Sequence, residues 1–167
     1  MTGESDSIHS RHWLRDLPVL AIFVAVTALA AASGAIARPG EWYAALNKPP
    51  GTPPDWLFPV AWSLLYALMA VAGWLVWRRA GLRRGLVALV PFAGQLGANG
   101  LWSILFFGLN RPWLALADLI VLWGLILLTM VRFRRFSPTA TALLAPYLVW
   151  VSYAGYLNLS LNLINGL

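Results

Sequence analysis

The chain has 167 residues, 60% of them hydrophobic and 11% charged, with a formal net charge of +6 and no cysteine. A soluble domain carries about 25% charged residues, so this composition cannot clothe a globule in water, and lipid must serve as its solvent. The missing cysteines exclude disulfides, thiolate chemistry and Cys-ligated metals. The two histidines, His9 and His12, lie in the polar N-terminal stretch, away from every apolar run.

Residues 1–17 are polar and mixed in charge, which predicts a disordered tail. Pro18 to Ala37 is a continuous run of small and apolar residues. A helical span needs roughly 20 such residues, and a signal-peptide core has about 7–15. The run is therefore read as a first spanning helix, about 18–38, ended by Arg38-Pro39-Gly40. The loop over 39–55 places Trp42 and Tyr43 at interface depth, where amphipathic rings are favoured. Its second half, Lys48-Pro49-Pro50-Gly51-Thr52-Pro53-Pro54-Asp55-Trp56, is stiffened by four prolines. That stretch reads as a lid over a pocket.

Helix two is predicted over about 55–77, with Thr52 or Asp55 as its cap and Pro53 or Pro54 in its first turn. Arg78-Arg79 ends it. Helix three follows over about 85–107, stopped by Gly108. Asn110 is expected to cap helix four, about 112–133, after a connection short enough to make an antiparallel hairpin. Ser137-Pro138 starts helix five, about 138–165. The predicted fold class is all-α: one domain over 18–167, a bundle of five transmembrane helices.

Five spans put the two termini on opposite faces. Arg11, Arg15, Arg78, Arg79, Arg83, Arg84, Arg132, Arg134 and Arg135 fall on the N-terminal side, and Arg38, Lys48 and Arg111 on the other. The positive-inside rule then orients the N-terminus to the cytoplasm. Basic residues confined to the gaps between apolar runs are a mark of topology and not a nucleic-acid footprint. The partner they imply is membrane lipid, and the expected location is a bacterial cell membrane crossed several times. No internal repeat is evident, which counts against an inverted-repeat transporter.

Residues three and four apart on a helix share a face. By that rule Trp62 pairs with Tyr66; Asn99 lies over Trp102 and Phe106; and Tyr147, Trp150, Ala154 and Leu157 or Asn158 form a third row. Aromatic walls with a few polar groups suit a flat, largely apolar ligand. Trp13, Trp74, Trp77 and Trp113 sit near span ends and read as interface anchors. Asp118 is the one carboxylate within a span. It reads first as a structural pin accepting from Asn99, Ser103 or a tyrosine, and second as a functional group. Asn158, Asn162 and Asn165 make a polar stripe on helix five, and Pro91 and Pro146 interrupt helices three and five. Ala93, Gly94, Gly97 and Ala98 form a small-residue face on helix three, suited to close packing or a homodimer. The spans hold no Ser-His or Cys-His pair, no second carboxylate and no metal-ligand set. That excludes conventional hydrolase, glycosidase and metalloenzyme chemistry.

Taken together these residues resemble the tryptophan-rich sensory protein / translocator protein family (TspO/MBR, also called peripheral-type benzodiazepine receptors). The resemblance covers nearly everything from Trp42 to Asn158. It rests on Trp42-Tyr43, Lys48-Pro49, Pro53-Pro54 with Trp56, Trp62 with Tyr66, and Gln95 through Asn99 to Trp102. Phe106-Phe107-Gly108, Ala117-Asp118, Pro146-Tyr147 with Trp150, and Ala154 with Leu157-Asn158 complete it. It implies a five-helix bundle, commonly dimeric, that binds porphyrins such as protoporphyrin IX as a ligand and requires no cofactor. By resemblance the pocket positions are Trp62, Tyr66, Asn99, Trp102, Trp150, Ala154 and Leu157, to which the helix faces add Phe106 and Tyr147. Trp62 and Trp150 match a tryptophan pair implicated in light-dependent porphyrin breakdown, the one catalytic role in view; a transporter of small apolar molecules or sterols is the other alternative. Two departures stand out. Gly51 occupies a loop position where the family often has tryptophan, which predicts a looser lid. Leu159 replaces the tyrosine of the animal sterol motif, and no basic residue follows Arg135.

Overall fold

The computed structural model describes the backbone from Glu4 onward and the side chains from Asp16 onward, Leu82 excepted. His9, His12 and Trp13 therefore lie outside the described side chains. Among the described residues all regular structure is helical: α1 is Glu4–Ile36, α2 Glu41–Ala45, α3 Leu57–Ser103, α4 Pro112–Arg134 and α5 Pro138–Asn165. Among the described residues five stretches are long and apolar enough to cross a membrane: Asp16–Ile36, Leu57–Gly81, Arg83–Gly108, Pro112–Arg134 and Pro138–Asn165. The five-span reading thus holds, and the protein is a multi-pass membrane protein.

Local structure departs from expectation at five points. The first helix begins earlier than the expected start at Pro18, with α1 running from Glu4. Extending a formed helix fixes one residue per hydrogen bond, whereas starting one fixes several, so the apolar span carries its helix into the polar flank. Helices two and three form as expected, over Leu57–Gly81 and Arg83–Gly108, but they meet within α3 at a kink on Gly81, with φ 66° and ψ 174°, and not across a loop over 78–84. Glycine alone takes that conformation without strain, so the turn between two spans needs no loop.

The start of α3 is shifted too. Neither Thr52 nor Asp55 caps it; Trp56 holds that position without a side-chain bond. The Pro54 carbonyl accepts from Leu57 N at 2.9 Å, so a backbone carbonyl closes the turn that the prolines keep extended. Asn110 does not cap α4 either. It sits at φ 52°, and Arg111 is the flanking residue. Asparagine tolerates left-handed backbone, and it turns the chain two residues after the helix stops at Gly108, the expected stop. A π-helical turn, Ile104–Gly108, precedes it, closed by Leu109 N to Ile104 O at 2.8 Å. The Ser137 cap holds: its Oγ accepts from Ala140 N at 3.1 Å.

The fifth departure is α2, a single turn in the outer loop that the sequence reading left unstructured.

Two contacts place three chain segments at one end of the bundle. Arg78 Nε lies 3.0 Å from Asp16 Oδ2, joining α3 to α1, and Arg79 Nη1 donates to the Phe136 carbonyl at 3.4 Å. This is the arginine-rich end. The core between α3, α4 and α5 is apolar and buried, built from Met69, Val76, Phe92, Leu122, Ile126, Phe133, Leu144 and Val151. Phe92 and Phe133 stack there at 5.6 Å. The outer surface is as apolar as the core, with Leu29, Ile120, Val149 and Leu163 fully outward. Only lipid solvates such a surface.

α1 lies on α3 through glycines. A Cβ on Gly100 would stand 3.2 Å from Ser33 Oγ, and one on Gly34 3.6 Å from Ser103 Oγ. Ala93, Gly94 and Gly97 are exposed; of the two glycines, Gly94 borders Leu125 of α4, where a Cβ would stand 3.6 Å from Cδ1, and Gly97 has nothing within 4 Å.

Candidate functional site

The site lies at the other end, where α5 extends outward past the start of α3 and the proline loop runs along it. Tyr153 donates its hydroxyl to the Gly51 carbonyl and Tyr156 donates to Pro50 O at 3.4 Å. Further out, Asn47 N donates to Asn165 Oδ1 at 2.8 Å, and Asn165 Nδ2 returns a bond to Asn47 O at 3.0 Å. Thr52 N closes a turn on Pro49 O at 3.2 Å around Pro50 and Gly51. Gly51 has φ 86°. A type II turn demands glycine at this position, and proline fits the one before it. The glycine that looked like a loosening of the lid is what allows the lid to turn and present its carbonyl to Tyr153.

Lys48 is held over the Tyr43 ring, 3.9 Å from its centroid, and donates to the carbonyls of Tyr43 and Leu46. Burial pulls its ammonium below the ordinary lysine range, with Asp55 opposing that shift. Burial, and secondarily the Asp55 carboxylate, pushes the Tyr43 hydroxyl upward. Pro49 is buried, whereas Trp56 is 66% exposed. Trp56 therefore belongs to the loop without covering anything beneath it.

Under the loop the aromatic residues fall into two groups. In the first, Trp62 stacks on Tyr66 at 5.5 Å and meets Tyr147 edge-on at 6.2 Å and Trp150 at 6.4 Å. Phe58 and Tyr153 extend this group from Trp150, at 6.0 and 6.4 Å. In the second, Trp102 stacks on Phe106 at 5.1 Å and meets Phe107 at 5.7 Å. Trp42 and Tyr43 of α2 close over Phe106 at 5.8 and 6.1 Å. Among the described residues no ring contact joins Trp102 to Trp62 or Trp150. The link is polar: the Tyr66 hydroxyl donates to Asn99 Oδ1, one turn before Trp102.

Ala154 and Leu157 are half-buried on α5, beyond Trp150. Asn158 and Asn162 continue this helix and are 2% and 1% exposed, with neither side-chain amide paired to a described protein group. The same holds for Gln95, Trp102 Nε1, Tyr147 Oη and Asp118 Oδ2. Two of the partners expected for Asp118 are engaged elsewhere. Asn99 is taken by Tyr66, and Ser103 lies against Gly34 of α1.

Of the expected interface anchors, Trp113 is exposed and donates to the Leu167 carbonyl, while Trp77 is half-buried. Trp74 lies under the Arg78 guanidinium at 5.3 Å.

Tyr153 and Phe58 are the site residues that the sequence reading missed. Tyr153 follows Trp150 at helical spacing, and that was the available signal. Removing its hydroxyl tests the tether. Tyr153→Phe is expected to raise hydrogen exchange at the amides of residues 47–56 by about fivefold, the worth of one ~1 kcal/mol bond. Unchanged exchange would show that the prolines alone hold the loop.

Comparison with known proteins agrees with this architecture. The TspO/MBR family pattern matches residues 19–164. The tryptophan-rich protein TspO of Chlorobaculum tepidum is 43% identical over 133 residues, 77% of this chain and 82% of the relative. The tryptophan-rich sensory protein of Cereibacter sphaeroides is 39% identical, over 90% of this chain and 93% of its own. The translocator protein of Bos taurus is 39% identical over 71% of each. A match of this extent, on a bundle with this aromatic site, makes the chain a member of the TspO/MBR family of membrane proteins.

Proposed function

We propose that this protein binds a flat tetrapyrrole, a porphyrin of the protoporphyrin IX type, beneath its proline loop, and acts in sensing, carrying or buffering it. The observation that carries the reading is the aromatic group of Trp62, Tyr66, Tyr147 and Trp150 directly under a loop tied to α5 by tyrosine hydroxyls. Stacked and edge-on rings offer a large apolar ligand dispersion and quadrupole contacts. The unpaired amides of Asn158 and Asn162 offer hydrogen bonds to polar substituents. Lys48 and Arg38, both exposed at the loop end, supply positive charge for ring propionates.

Metal-free protoporphyrin is expected to quench tryptophan fluorescence saturably. Trp150→Phe should weaken that quenching several-fold, since an aromatic pair contributes about 0.5–1.5 kcal/mol beyond its area. Equal quenching by the wild type and by a Trp62→Phe, Trp150→Phe double variant would remove the site assignment.

The edge-on contact of Trp62 with Trp150, at 84°, favours a second reading. In it, the pair takes part in light-driven oxidative breakdown of the bound ring, with dioxygen as oxidant. Illuminating the aerobic complex separates the two: loss of the Soret band marks degradation, and a stable band marks binding alone.

A further inference from the structure

Trp62 is the inner end of a row of rings that leads out of the bundle. It meets Trp150 at 6.4 Å between ring centroids, Trp150 meets Tyr153 at 6.4 Å, and Tyr153 stacks on Tyr156 at 6.0 Å. Trp150, Tyr153 and Tyr156 follow one another at i, i+3 spacing on α5, so each ring reaches the next along one ridge of the helix. The row starts under the proline loop and ends on Tyr156, which is 49% exposed beside that loop. Tryptophan and tyrosine are the side chains that give up one electron most readily in a chain without cysteine.

Where a proton can leave sets the direction. A tyrosine that loses an electron must also release its phenolic proton, because a positive charge stranded among apolar rings is costly. Beside Trp62 neither tyrosine has a base. The Tyr66 hydroxyl is committed to Asn99 Oδ1, an amide oxygen, and the Tyr147 hydroxyl is buried with no described protein partner. Tyr153 is committed to the Gly51 carbonyl. Tyr156 differs. Its bond to Pro50 O is long, at 3.4 Å, and Pro50 is exposed and lies outside the five spans, so water reaches this hydroxyl.

We infer that Trp62, Trp150, Tyr153 and Tyr156 form a one-electron relay that carries an oxidising equivalent from the pocket to the outer surface. The inference deepens the light-driven reading and rests on it for the oxidant. Trp62 gives one electron to the photoexcited ring, and that electron ends on dioxygen as superoxide. Trp62 is refilled from Trp150, Trp150 from Tyr153, and Tyr153 from Tyr156, whose phenolic proton goes to water. A soluble thiol returns one hydrogen atom to Tyr156. The net change is one electron from thiol to dioxygen and one proton to water, with all four side chains restored. The relay thereby spares Trp62 and Trp150 from lasting oxidation.

The test needs no ligand. The full chain in lipid nanodiscs is irradiated in air within the tryptophan absorption band, without thiol, and oxidised side chains are mapped by mass spectrometry. Wild type is expected to collect oxidation on Tyr156 and to spare Trp62 and Trp150. Tyr156→Phe keeps the ring and removes the oxidisable group, and should raise oxidation at both tryptophans several-fold. Trp123 of α4, whose indole is bonded to Ser152 outside the row, should not change. Tyr156→Trp lacks the phenol but restores an oxidisable ring, and should return Trp62 and Trp150 to their wild-type level. A merely loosened loop would leave them raised in that variant as well. Equal oxidation of Trp62 and Trp150 in wild type and Tyr156→Phe overturns the relay, and so does a Tyr156→Trp protein as oxidised as Tyr156→Phe. With no porphyrin present, either result stands whether or not the ring binds, which quenching and the Soret band decide separately.

Discussion

Gly73→Leu is expected to lower the thermal midpoint of the purified protein by about 6–12 °C, the equivalent of ~3 kcal/mol of overpacking in a chain of this size. The cause is the tightest surroundings of any described glycine. A Cβ on Gly73 would stand 2.7 Å from both Cδ1 and Cε1 of Phe23 and 3.2 Å from Phe92. Phe23 is the ring by which α1 meets the core, edge-on to Phe92 at 6.1 Å. A side chain at 73 must therefore push α1 off α3. Helix propensity alone predicts the opposite sign, because glycine within a helix is about 1 kcal/mol worse than alanine. Gly124→Leu supplies the control: a Cβ there meets nothing within 4 Å, and the midpoint should hold or rise. Phe23→Ala added to Gly73→Leu should restore part of the loss. Equal midpoints for the Gly73→Leu and Gly124→Leu proteins would mean that α1 does not sit where the Phe23 contact puts it.

Asn158→Leu and Asn162→Leu are expected to raise the midpoint of the ligand-free protein while weakening porphyrin binding. A buried amide without a partner costs about 1–3 kcal/mol, and both amides are buried with no described protein partner. Leucine has nearly the same size and no polar group to desolvate. Each change should therefore stabilise the apoprotein by about 1 kcal/mol. Were these amides only part of the packing, porphyrin titration would report the same affinity as the wild type. If they meet polar substituents of the ring, affinity falls by roughly tenfold for a lost hydrogen bond of ~1.4 kcal/mol. A lower apoprotein midpoint would show that the amides are satisfied in the fold, and it would remove them from the site. Stability and binding are thus expected to move in opposite directions, which a purely structural role would not produce.

The sequence by itself determined the number of spans and their approximate ends. Apolar length against bilayer thickness is a local property, and so are the Ser137 cap and the helical spacings that pair Trp62 with Tyr66 and Trp102 with Phe106. Composition excluded a soluble fold before any element was placed. The order of aromatic and proline markers carried the family resemblance, which the wider comparison bears out.

The tertiary structure decided which faces meet. In water, a helix shows its buried side by contrast between apolar and polar residues. In lipid the outer side is apolar as well, so that contrast is lost and the pattern cannot say which tryptophans face one another. Hence only the folded chain separates Trp102 from the Trp62–Trp150 group and turns Ser103 toward α1. Gly51 shows the same division in one residue. The sequence marked it as a departure from its relatives. Its positive φ and its carbonyl bond to Tyr153, 102 residues away, depend on where α5 stands beside the loop.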